Sequence, residues 1–377
     1  WRRGSTARFP VRPGTSRTGS DADAHRSFKP LEIGGQTIEP GTRTSVDLPV
    51  ADLYTHAKLT MPVNVIRGKR PGPTLFVSAA VHGDELNGVE IIRRVLRLRQ
   101  LKRLTGTVIA VPIVNVHGFL RNSRYLPDRR DLNRSFPGSS GGSVAGRLAK
   151  VFIDEIVMKS DYGIDLHTGA VHRSNLPQIR ADLSQDTVRA MADAFGCPLL
   201  IDAPLREGSL REYADRKGVP LLLYEAGEAL RFDEFSIRAG VRGVVGVMRH
   251  LGMLAEQRKP ARKQAAPVVA EDSSWERAPE SGILRMLVEL GQYVEKDQVL
   301  AYVADPFGRT EVEVRSEHPG IVIGRTYLPL AHAGDAIYHV ARVKGAEKLA
   351  ERVGAFQEAH EPDSPDDRGL ADEPPLV

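Results

Sequence analysis

The strongest constraint on the fold is an alternation of short apolar segments with amphipathic segments between residues 74 and 251. Short runs rich in Val, Ile and Leu are typical of buried strands, and apolar residues spaced three or four apart are typical of helices. Strands that alternate with helices predict a mainly parallel sheet with helices on both of its faces. We therefore expect an α/β fold built on a mixed, mainly parallel sheet.

The alternation can be divided into individual elements. The predicted strands are residues 74–80, 107–114, 162–166, 198–201 and 219–224. The predicted helices are residues 89–98, 144–158, 186–195 and 235–251. Ser209 and Glu212 have the spacing of a capping box, which predicts a further short helix that begins there.

The regions outside this alternation have different compositions. Residues 1–28 are rich in Arg, Ser, Gly and Thr, which predicts a disordered leader. The leader resembles an organelle transit peptide, but a disordered leader or an incorrect start site is our preferred interpretation. The α/β domain, with an initial β segment, is predicted to span residues 29–255, and the charged, Pro- and Ala-rich residues 256–272 are predicted to be a linker.

The last third of the chain has the pattern of a small all-β module. Close-spaced apolar runs with Gly turns predict strands at residues 282–288, 298–303, 311–314, 320–323 and 336–343, within a module that spans residues 273–344. Residues 345–377 are an acidic, Pro-rich tail that follows one short helical stretch. We expect the end of this tail to be disordered.

Composition excludes several classes of protein. Cys197 is the only cysteine, so an intrachain disulfide cannot form and no oxidising compartment is indicated. No apolar run approaches the roughly 18 residues of a membrane span, and no signal-peptide core is present. The net charge of +4 is weak evidence for binding to nucleic acid. We expect a cytoplasmic protein with neither a membrane nor a nucleic acid as partner.

The first motif with a chemical interpretation is VHGDELNG at residues 81–88. His82 and Glu85 lie where a predicted strand ends and a helix begins, and ligands of open α/β sheets bind at that edge. An imidazole and a carboxylate three residues apart can point at one ion, and these donors suit zinc. The motif is short, and a solvated His beside a Glu that complements the helix dipole is the alternative.

The second motif, DLHTG at residues 165–169, also ends a predicted strand. His167 would complete a set of two histidines and one carboxylate, which in catalytic zinc sites leaves a position for water. Asp165 lies on the same face of the strand and could accept the proton of the other ring nitrogen. The alternative is a polar strand end without metal.

The third motif is YEAGE at residues 224–228, after a very apolar strand. Glu225 lies at the strand end, where partial desolvation would raise its pKa toward that of a useful general base. Glu228 competes for this role, and we prefer Glu225 because it is closer to the strand. An exposed loop acid is the alternative.

The fourth motif is a polar loop that contains Arg124 and the sequence DLNRSFPG at residues 131–138. A guanidinium group can bind a carboxylate through two parallel hydrogen bonds, and Asn133 beside Arg134 can add an amide contact. Arg124 could stabilise an oxyanion. Taken alone, so many arginines in one loop would indicate only a solvated surface.

In this order the four motifs resemble those of the succinylglutamate desuccinylase/aspartoacylase family, which is related to the zinc carboxypeptidases. The resemblance extends over roughly residues 45–345. It implies a zinc carboxypeptidase-like α/β fold and one Zn²⁺ per chain. The implied zinc ligands are His82, Glu85 and His167.

The resemblance also assigns roles around the metal. It implies that Glu225 is the general base, that Asn133 and Arg134 hold the free carboxylate of the substrate, and that Arg124 polarises the carbonyl. Some family members use a tyrosine from late in the chain, for which Tyr327 and Tyr338 are candidates here.

The C-terminal module resembles the small barrel of the same family, itself similar to a biotinyl or lipoyl half-barrel. A carrier domain would need an exposed lysine at a hairpin tip, and residues 318–322 (HPGIV) have none. We expect this module to cover the mouth of the site or to mediate assembly, and a homo-oligomer is compatible with the sequence.

Three functions remain open on the sequence alone. The first is a zinc-dependent amidohydrolase that removes the acyl group from an N-acyl amino acid. The second is a zinc carboxypeptidase that acts on peptides, and the third is a non-catalytic relative that binds a ligand. A second anion in the substrate would need a further cation, for which Arg173, Arg180 and Arg206 are candidates.

Overall fold

The computed structural model describes residues 28, 30–256, 267–270, 272–343 and 346–360. Almost all of the predicted leader, most of the predicted linker and residues 361–377 of the predicted tail lie outside these residues.

The first part of the described chain contains the expected alternation of strands and helices. Its strands are β1 (Glu32–Ile33), β2 (Gln36–Thr37), β3 (Arg43–Asp52), β4 (Lys58–Arg67), β5 (Arg70–Ala79), β6 (Thr105–Val111), β7 (Tyr162–Gly169), β8 (Arg173–Ala181), β9 (Leu199–Asp202) and β10 (Leu221–Glu228). Its helices are α1 (Asn87–Val95), α2 (Val116–Phe119), α3 (Val144–Glu155), α4 (Asp186–Phe195), α5 (Leu210–Arg216) and α6 (Glu234–His250).

The second part is rich in strands. They are β11 (Val268–Ala270), β12 (Asp272–Arg277), β13 (Gly282–Met286), β14 (Tyr293–Val294), β15 (Val299–Ala304), β16 (Glu311–Arg315), β17 (Gly320–Thr326), β18 (Leu330–Ala331) and β19 (Ala336–Arg342). One helix, α7 (Ala346–His360), follows them.

One large sheet dominates the molecule, with the strand order β12-β19-β17-β8-β10-β7-β5-β6-β4-β3. The four central strands β10, β7, β5 and β6 are parallel, as the alternation predicts. The flanking strands β8, β17 and β19 on one side and β4 and β3 on the other are antiparallel to their neighbours along this order. The mixed α/β fold is confirmed, but the expectation of a mainly parallel sheet holds only for its centre.

Helices cover both faces of the central strands. Helices α1, α4 and α6 bury one face, where Val77, Leu166 and Tyr224 are the sheet side chains in the core. Helix α3 covers the other face and packs Phe152 edge-on against Phe76, with ring centroids 6.0 Å apart. Each such buried side chain contributes about 1.5–3 kcal/mol. The sheet is therefore fixed from both sides, and its polar residues collect where the strands end.

Strand β8 was not predicted, and its sequence explains why. The segment RSNLPQIRA contains Pro177 and several polar residues, which argue against a central strand. In the structure β17 pairs with residues 173–175 and β9 with residues 179–181, so Pro177 lies in the gap between the two partners. On its other side β10 carries an irregularity between Glu225 and Gly227. Pro177 has no backbone N–H to donate, and it is accommodated because it lies in this gap between the two partner strands.

The C-terminal strands divide between two sheets. Strands β16, β15, β13 and β18 form a separate four-stranded sheet, whereas β12, β19 and β17 extend the large sheet. Described residues 272–343 contain no helix, in agreement with the predicted β module. Strand β11 lies inside the predicted linker and pairs in parallel with β9. The likeness of the module to a half-barrel stays a prediction.

Helix α6 has 17 residues and is the longest helix among the described residues, and its apolar face packs into the core. Gly240 lets it approach α1 closely, because a Cβ atom there would lie 2.3 Å from Cδ1 of Ile91. In the part of the chain that the structure describes, none of the helices combines the length and the hydropathy that a membrane span requires.

Candidate metal centre

The loop after β5 brings the first two candidate ligands to the carboxyl edge of the sheet. Ala80 has a positive φ of 50°, which turns the chain sharply out of the strand. Gly83 packs directly on α2, because a Cβ atom there would lie 2.1 Å from the carbonyl carbon of Gly118. Only glycine fits so close an approach. Between these two positions His82 is directed into the site, and Glu85 follows just before α1.

His82, Glu85 and His167 meet in one buried cluster. Glu85 Oε1 lies 2.6 Å from His82 Nδ1, and Glu85 Oε2 lies 2.8 Å from His167 Nδ1. The two Nδ1 atoms are 3.2 Å apart. One donor atom from each of the three residues lies within 4.8 Å of the others, so one ion can contact all three. The backbone N–H of Thr168 donates to Glu85 Oε2 over 3.1 Å and fixes the carboxylate.

A carboxylate orients each of the two imidazoles from behind. His167 Nε2 lies 2.7 Å from Asp165 Oδ2, which is the contact expected from the sequence, and Ser78 Oγ donates to the other Asp165 oxygen over 2.8 Å. His82 Nε2 lies 3.2 Å from Asp131 Oδ1. Both histidines therefore present Nδ1 to the centre and keep Nε2 on a carboxylate, the arrangement that fixes metal-binding imidazoles in proteins.

The electrostatics of the cluster favour positive charge. Burial opposes protonation of His82 and His167, but the Glu85 carboxylate and the acid behind each ring raise the pKa of both histidines above the usual value. Burial would raise the pKa of Glu85, but the two imidazoles outweigh it and hold that pKa well below its ordinary range. A buried set of donors that stabilises positive charge in this way is suited to a divalent cation.

The chemistry of the donors fits zinc. Two imidazole nitrogens and one carboxylate oxygen form a ligand set of catalytic zinc sites, in which a fourth position remains for water or substrate. Such three-ligand sites differ from structural zinc sites, which are closed by four protein ligands. His82, Glu85 and His167 are thus suitable to hold one zinc ion.

Glu225 lies directly beside this cluster. In the parallel ladder of β10 and β7, Glu225 pairs with His167, so both side chains leave the sheet on the same face. Asn175 Nδ2 donates to Glu225 Oε2 over 3.0 Å, and Arg180 Nε lies 3.1 Å from the same oxygen. The side chain of Glu225 is 21% exposed, so a small molecule can reach it.

Glu228, the competitor for the role of base, points elsewhere. Its Oε1 accepts the backbone N–H of His172 over 2.9 Å. The irregularity in β10 between Glu225 and Glu228 separates the two carboxylates. The geometry therefore favours Glu225 as the acid that faces the cluster.

Arg124 also reaches the cluster. Its Nη1 lies 3.3 Å from Glu85 Oε1, and its Nη2 donates to Asp131 Oδ2 over 3.0 Å. Burial opposes its charge, but the Glu85 and Asp131 carboxylates raise the pKa of Arg124 above its usual value. Its side chain is 28% exposed, so a fixed cation borders the open side of the centre.

Asn133 and Arg134 lie in the same loop but are held differently. The side-chain carbonyl of Asn133 accepts the backbone N–H of Leu210 over 2.9 Å, which ties the loop to the first residue of α5. Arg134 is exposed, and its Nη1 donates to the backbone carbonyl of Asn133. The structure thus leaves the Asn133 amide nitrogen and most of the Arg134 guanidinium available to a ligand carboxylate.

The remaining candidates are dispersed. Tyr338 is buried and its Oη bonds the backbone of Val288, so the late tyrosine of the family is not Tyr338. Tyr327 is half exposed, and its backbone N–H donates to the carbonyl of His172 at the edge of the site. Arg173 stacks on Trp275, 5.3 Å from the ring centre.

Sequence reasoning missed three polar residues of the site. Asp131 was part of the fourth motif but received no role. It is far from His82 in the sequence, so the direct contact between the two side chains could not be predicted. Asn175 and Gln178 lie in the unpredicted strand β8. Both amide atoms of Gln178 are buried without a partner in the described part of the chain, which costs about 1–3 kcal/mol per group.

The comparisons with known proteins agree with this geometry. Residues 71–251 match the family model of the succinylglutamate desuccinylase/aspartoacylase catalytic domain. The N-alpha-acetyl-L-2,4-diaminobutyric acid deacetylase of Halomonas elongata is 29% identical over 311 residues, which cover 78% of this chain and 90% of that protein. Both findings support the resemblance to the succinylglutamate desuccinylase/aspartoacylase family that the four motifs indicate.

Solved structures of similar fold extend beyond the matched domain. The product-bound ectoine utilization protein EutE (DoeB) from Ruegeria pomeroyi superposes with a TM-score of 0.71 at 26% identity, over 80% of this chain and 95% of that one. A succinylglutamate desuccinylase from Silicibacter sp. has the same fold, with a TM-score of 0.72 at 24% identity over 80% of this chain and 95% of that one.

The match to the catalytic-domain model contains every candidate catalytic, metal-binding and carboxylate-binding residue named above, from His82 to Glu225. Strands β12, β17 and β19 lie outside the match but belong to the same sheet.

Proposed function

We propose that this protein is a zinc-dependent hydrolase that removes the acyl group from an N-acyl amino acid. The observation that carries the proposal is the pairing of Glu225 with His167 across β10 and β7, which sets a partly exposed carboxylate beside a buried His–Glu–His cluster. A metal site with an adjacent base is the arrangement that hydrolysis of an amide bond needs.

Zinc, when bound by His82, Glu85 and His167, supplies Lewis acidity toward the amide carbonyl and lowers the pKa of water. Glu225 accepts a proton from the attacking water and later delivers it to the nitrogen of the departing amine. Asn175 and Arg180 hold the Glu225 carboxylate in place for both transfers.

Two arginines act on the charges of the substrate. Arg124 faces the centre from its open side and stabilises negative charge on the carbonyl oxygen. Arg134, with the amide of Asn133, binds the free carboxylate of the amino acid. Binding at this carboxylate orients the amide bond toward Glu225.

The Halomonas relative indicates the first substrate to test, N-acetyl-L-2,4-diaminobutyrate. Purified zinc-loaded protein is assayed for release of free amine from this compound, from N-acetyl-L-aspartate, from N-succinyl-L-glutamate and from dipeptides. We expect hydrolysis of at least one N-acyl amino acid at a rate that follows the zinc content. Cleavage of dipeptides alone would indicate a carboxypeptidase, and stoichiometric zinc without any hydrolysis would indicate a binding protein.

A further inference from the structure

Strand β10 loses its regular pairing directly after Glu225. Glu225 pairs with His167 of β7, and the next pair is Glu228 with Gly169, so β10 has one extra residue in this interval. The register with β8 shifts at the same place, between Glu225 and Gly227. A bulge of this kind bends a strand and redirects the side chains beside it. The position of Glu225 therefore depends on what holds the bulge that follows it.

The side-chain amide of Asn87 holds this bulge from the neighbouring helix. Asn87 is the first residue of α1 and is 1% exposed. Its Nδ2 donates to the backbone carbonyl of Ala226 over 3.2 Å, and its Oδ1 accepts the backbone N–H of Asp233 over 3.0 Å. One side chain thus joins both ends of the segment 226–233 to α1.

Gly227 provides the space that the amide of Asn87 occupies. Its φ is +73°, a conformation that favours glycine. A Cβ atom at Gly227 would lie 2.4 Å from Asn87 Nδ2. The amide therefore lies directly against the backbone of the bulge, and a side chain at position 227 would displace it.

Backbone hydrogen bonds join the same segment to the strand ends that carry the candidate metal ligands. The N–H of Leu230 donates to the carbonyl of Asp84 over 2.8 Å, and the N–H of Ala229 donates to the carbonyl of Gly169 over 3.0 Å. These two bonds do not depend on the type of side chain. Asn87 adds a connection that does, so a substitution can remove it selectively.

The Glu225 carboxylate needs this support because its own contacts come from one side. Asn175 and Arg180, both on β8, contact its Oε2 atom. Its backbone is fixed by the ladder before it and by the bulge after it. A displacement of about 1 Å in a group that takes part in the reaction can reduce the rate about 100-fold. A small movement of the bulge should therefore reduce turnover.

We propose that Asn87 is a positioning residue, which holds the bulge after Glu225 and thereby keeps the Glu225 carboxylate in place beside the metal cluster. The inference rests on the proposed function for the role of Glu225 as the base. Asn87 acts through the backbone of Ala226 and not by contact with the substrate. Its loss should lower kcat more than it changes KM, and zinc should remain bound.

Asn87→Asp tests the bond to the bulge. The aspartate has the same size and still accepts the Asp233 N–H, but it cannot donate to the Ala226 carbonyl. We expect kcat to fall about 10-fold, with KM within about 2-fold of the wild type and stoichiometric zinc by elemental analysis. Asn87→Ser, which is too short for either contact, should lose about 100-fold. Wild-type kcat in both variants would overturn the proposal.

Asn64→Asp is the matched control for these variants. Asn64 also uses its side-chain amide as a donor, to Ser45 Oγ over 3.0 Å, and the substitution introduces the same charge. It lies on β4, which β6 separates from the site-bearing strand β5. We expect Asn64→Asp to keep the wild-type kcat and KM. An equal loss of kcat in Asn64→Asp and Asn87→Asp would argue against a specific role for Asn87.

A double-mutant cycle separates positioning from a general loss of stability. If Asn87 acts through Glu225, Asn87→Asp should reduce kcat in the wild-type background but change it by less than about 2-fold in the Glu225→Gln background. Single-turnover reactions with excess zinc-loaded enzyme measure the slow variants. An equal reduction in both backgrounds would show that Asn87 acts independently of Glu225 and would overturn the proposal.

Crystal structures of zinc-loaded wild-type protein and Asn87→Asp give a result that needs no activity. We expect the Glu225 carboxylate to move by more than about 0.5 Å relative to His167, while the three metal ligands stay in place. An unmoved Glu225 would refute the positioning role. A displaced Glu225 in a protein that hydrolyses none of the substrates would support the positioning role and refute the deacylase. If Asn87→Asp fails to fold, Asn87→Ser replaces it in both experiments.

Discussion

Two neighbouring regions of one sheet differ in how their buried polar side chains are paired. The first is built on the parallel strands β5, β7 and β10, and the second on the antiparallel strands β8, β17 and β19. Every ring nitrogen of His82 and His167 and both carboxylate oxygens of Glu85 have a partner. Around Gln178 and His339 buried polar atoms have no partner in the described residues.

Only the first of these two regions therefore has the closed hydrogen-bond network that suits a metal centre. A closed network holds groups rigidly, which suits a metal centre that must keep its geometry through each reaction. Unpaired buried groups instead cost about 1–3 kcal/mol each. We therefore expect variants in the first region to abolish the chemistry.

The largest effect should come from His167→Ala. Loss of a buried ligand whose other nitrogen is held by Asp165 should remove zinc and reduce kcat below detection. Zinc is measured by elemental analysis after gel filtration. His172→Ala, an exposed histidine at the edge of the site, should keep stoichiometric zinc. Zinc retained by His167→Ala would contradict the metal assignment.

Glu225→Gln should be the next largest change. The amide cannot accept the proton of water, so we expect kcat to fall about 1000-fold while zinc content is unchanged. Glu228→Gln is the matched control, since its side-chain oxygen can still accept the His172 N–H. Equal losses in the two variants would argue against Glu225 as the base.

Arg124→Lys tests the cation on the open side of the centre. A lysine keeps the charge but loses the fork that spans Glu85 and Asp131, and we expect kcat to fall about 100-fold with a smaller change in KM. Steady-state kinetics of the zinc-loaded variant provides the measurement, with exposed Arg121→Lys as the reference. A rise confined to KM would instead assign Arg124 to substrate binding.

Asp165→Asn and Asp131→Asn compare the two orienting carboxylates. Each should weaken zinc affinity by about 10- to 100-fold, as measured by competition with a chromophoric chelator. Asp165 should have the larger effect, because it is fully buried and its contact is shorter than that of Asp131. A larger loss of zinc affinity in Asp131→Asn would show that His82 depends more on its orienting carboxylate than His167 does.

The smallest effect concerns the face of the sheet away from the site. Cys197 is buried in the core beneath that face, and burial raises the pKa of its thiol. A thiol-specific reagent should therefore leave activity unchanged and label Cys197 only after unfolding. Rapid labelling of folded protein would show that this core opens.

Much of the central domain followed from local pattern. Helix α4 has the predicted bounds, and Ser209 caps α5 as predicted, accepting the N–H of Glu212 over 3.2 Å. Strand β8 was missed because Pro177 and its polar neighbours resemble a loop, and only the pairing of its two separate partners makes the proline acceptable. Tyr338 could not be excluded as a site residue until its buried contact with Val288 was known.

The sequence by itself determined which side chains end the central strands, because the alternation of faces and the position of each strand end are local properties. That was sufficient to predict His82, Glu85, His167 and Glu225 together. Only the tertiary structure decided that Glu225 lies between His167 and Gln178, and that Asn87 reaches the bulge after Glu225 from helix α1. Strand register and the order of distant strands depend on pairing across the whole sheet, and no local pattern specifies them.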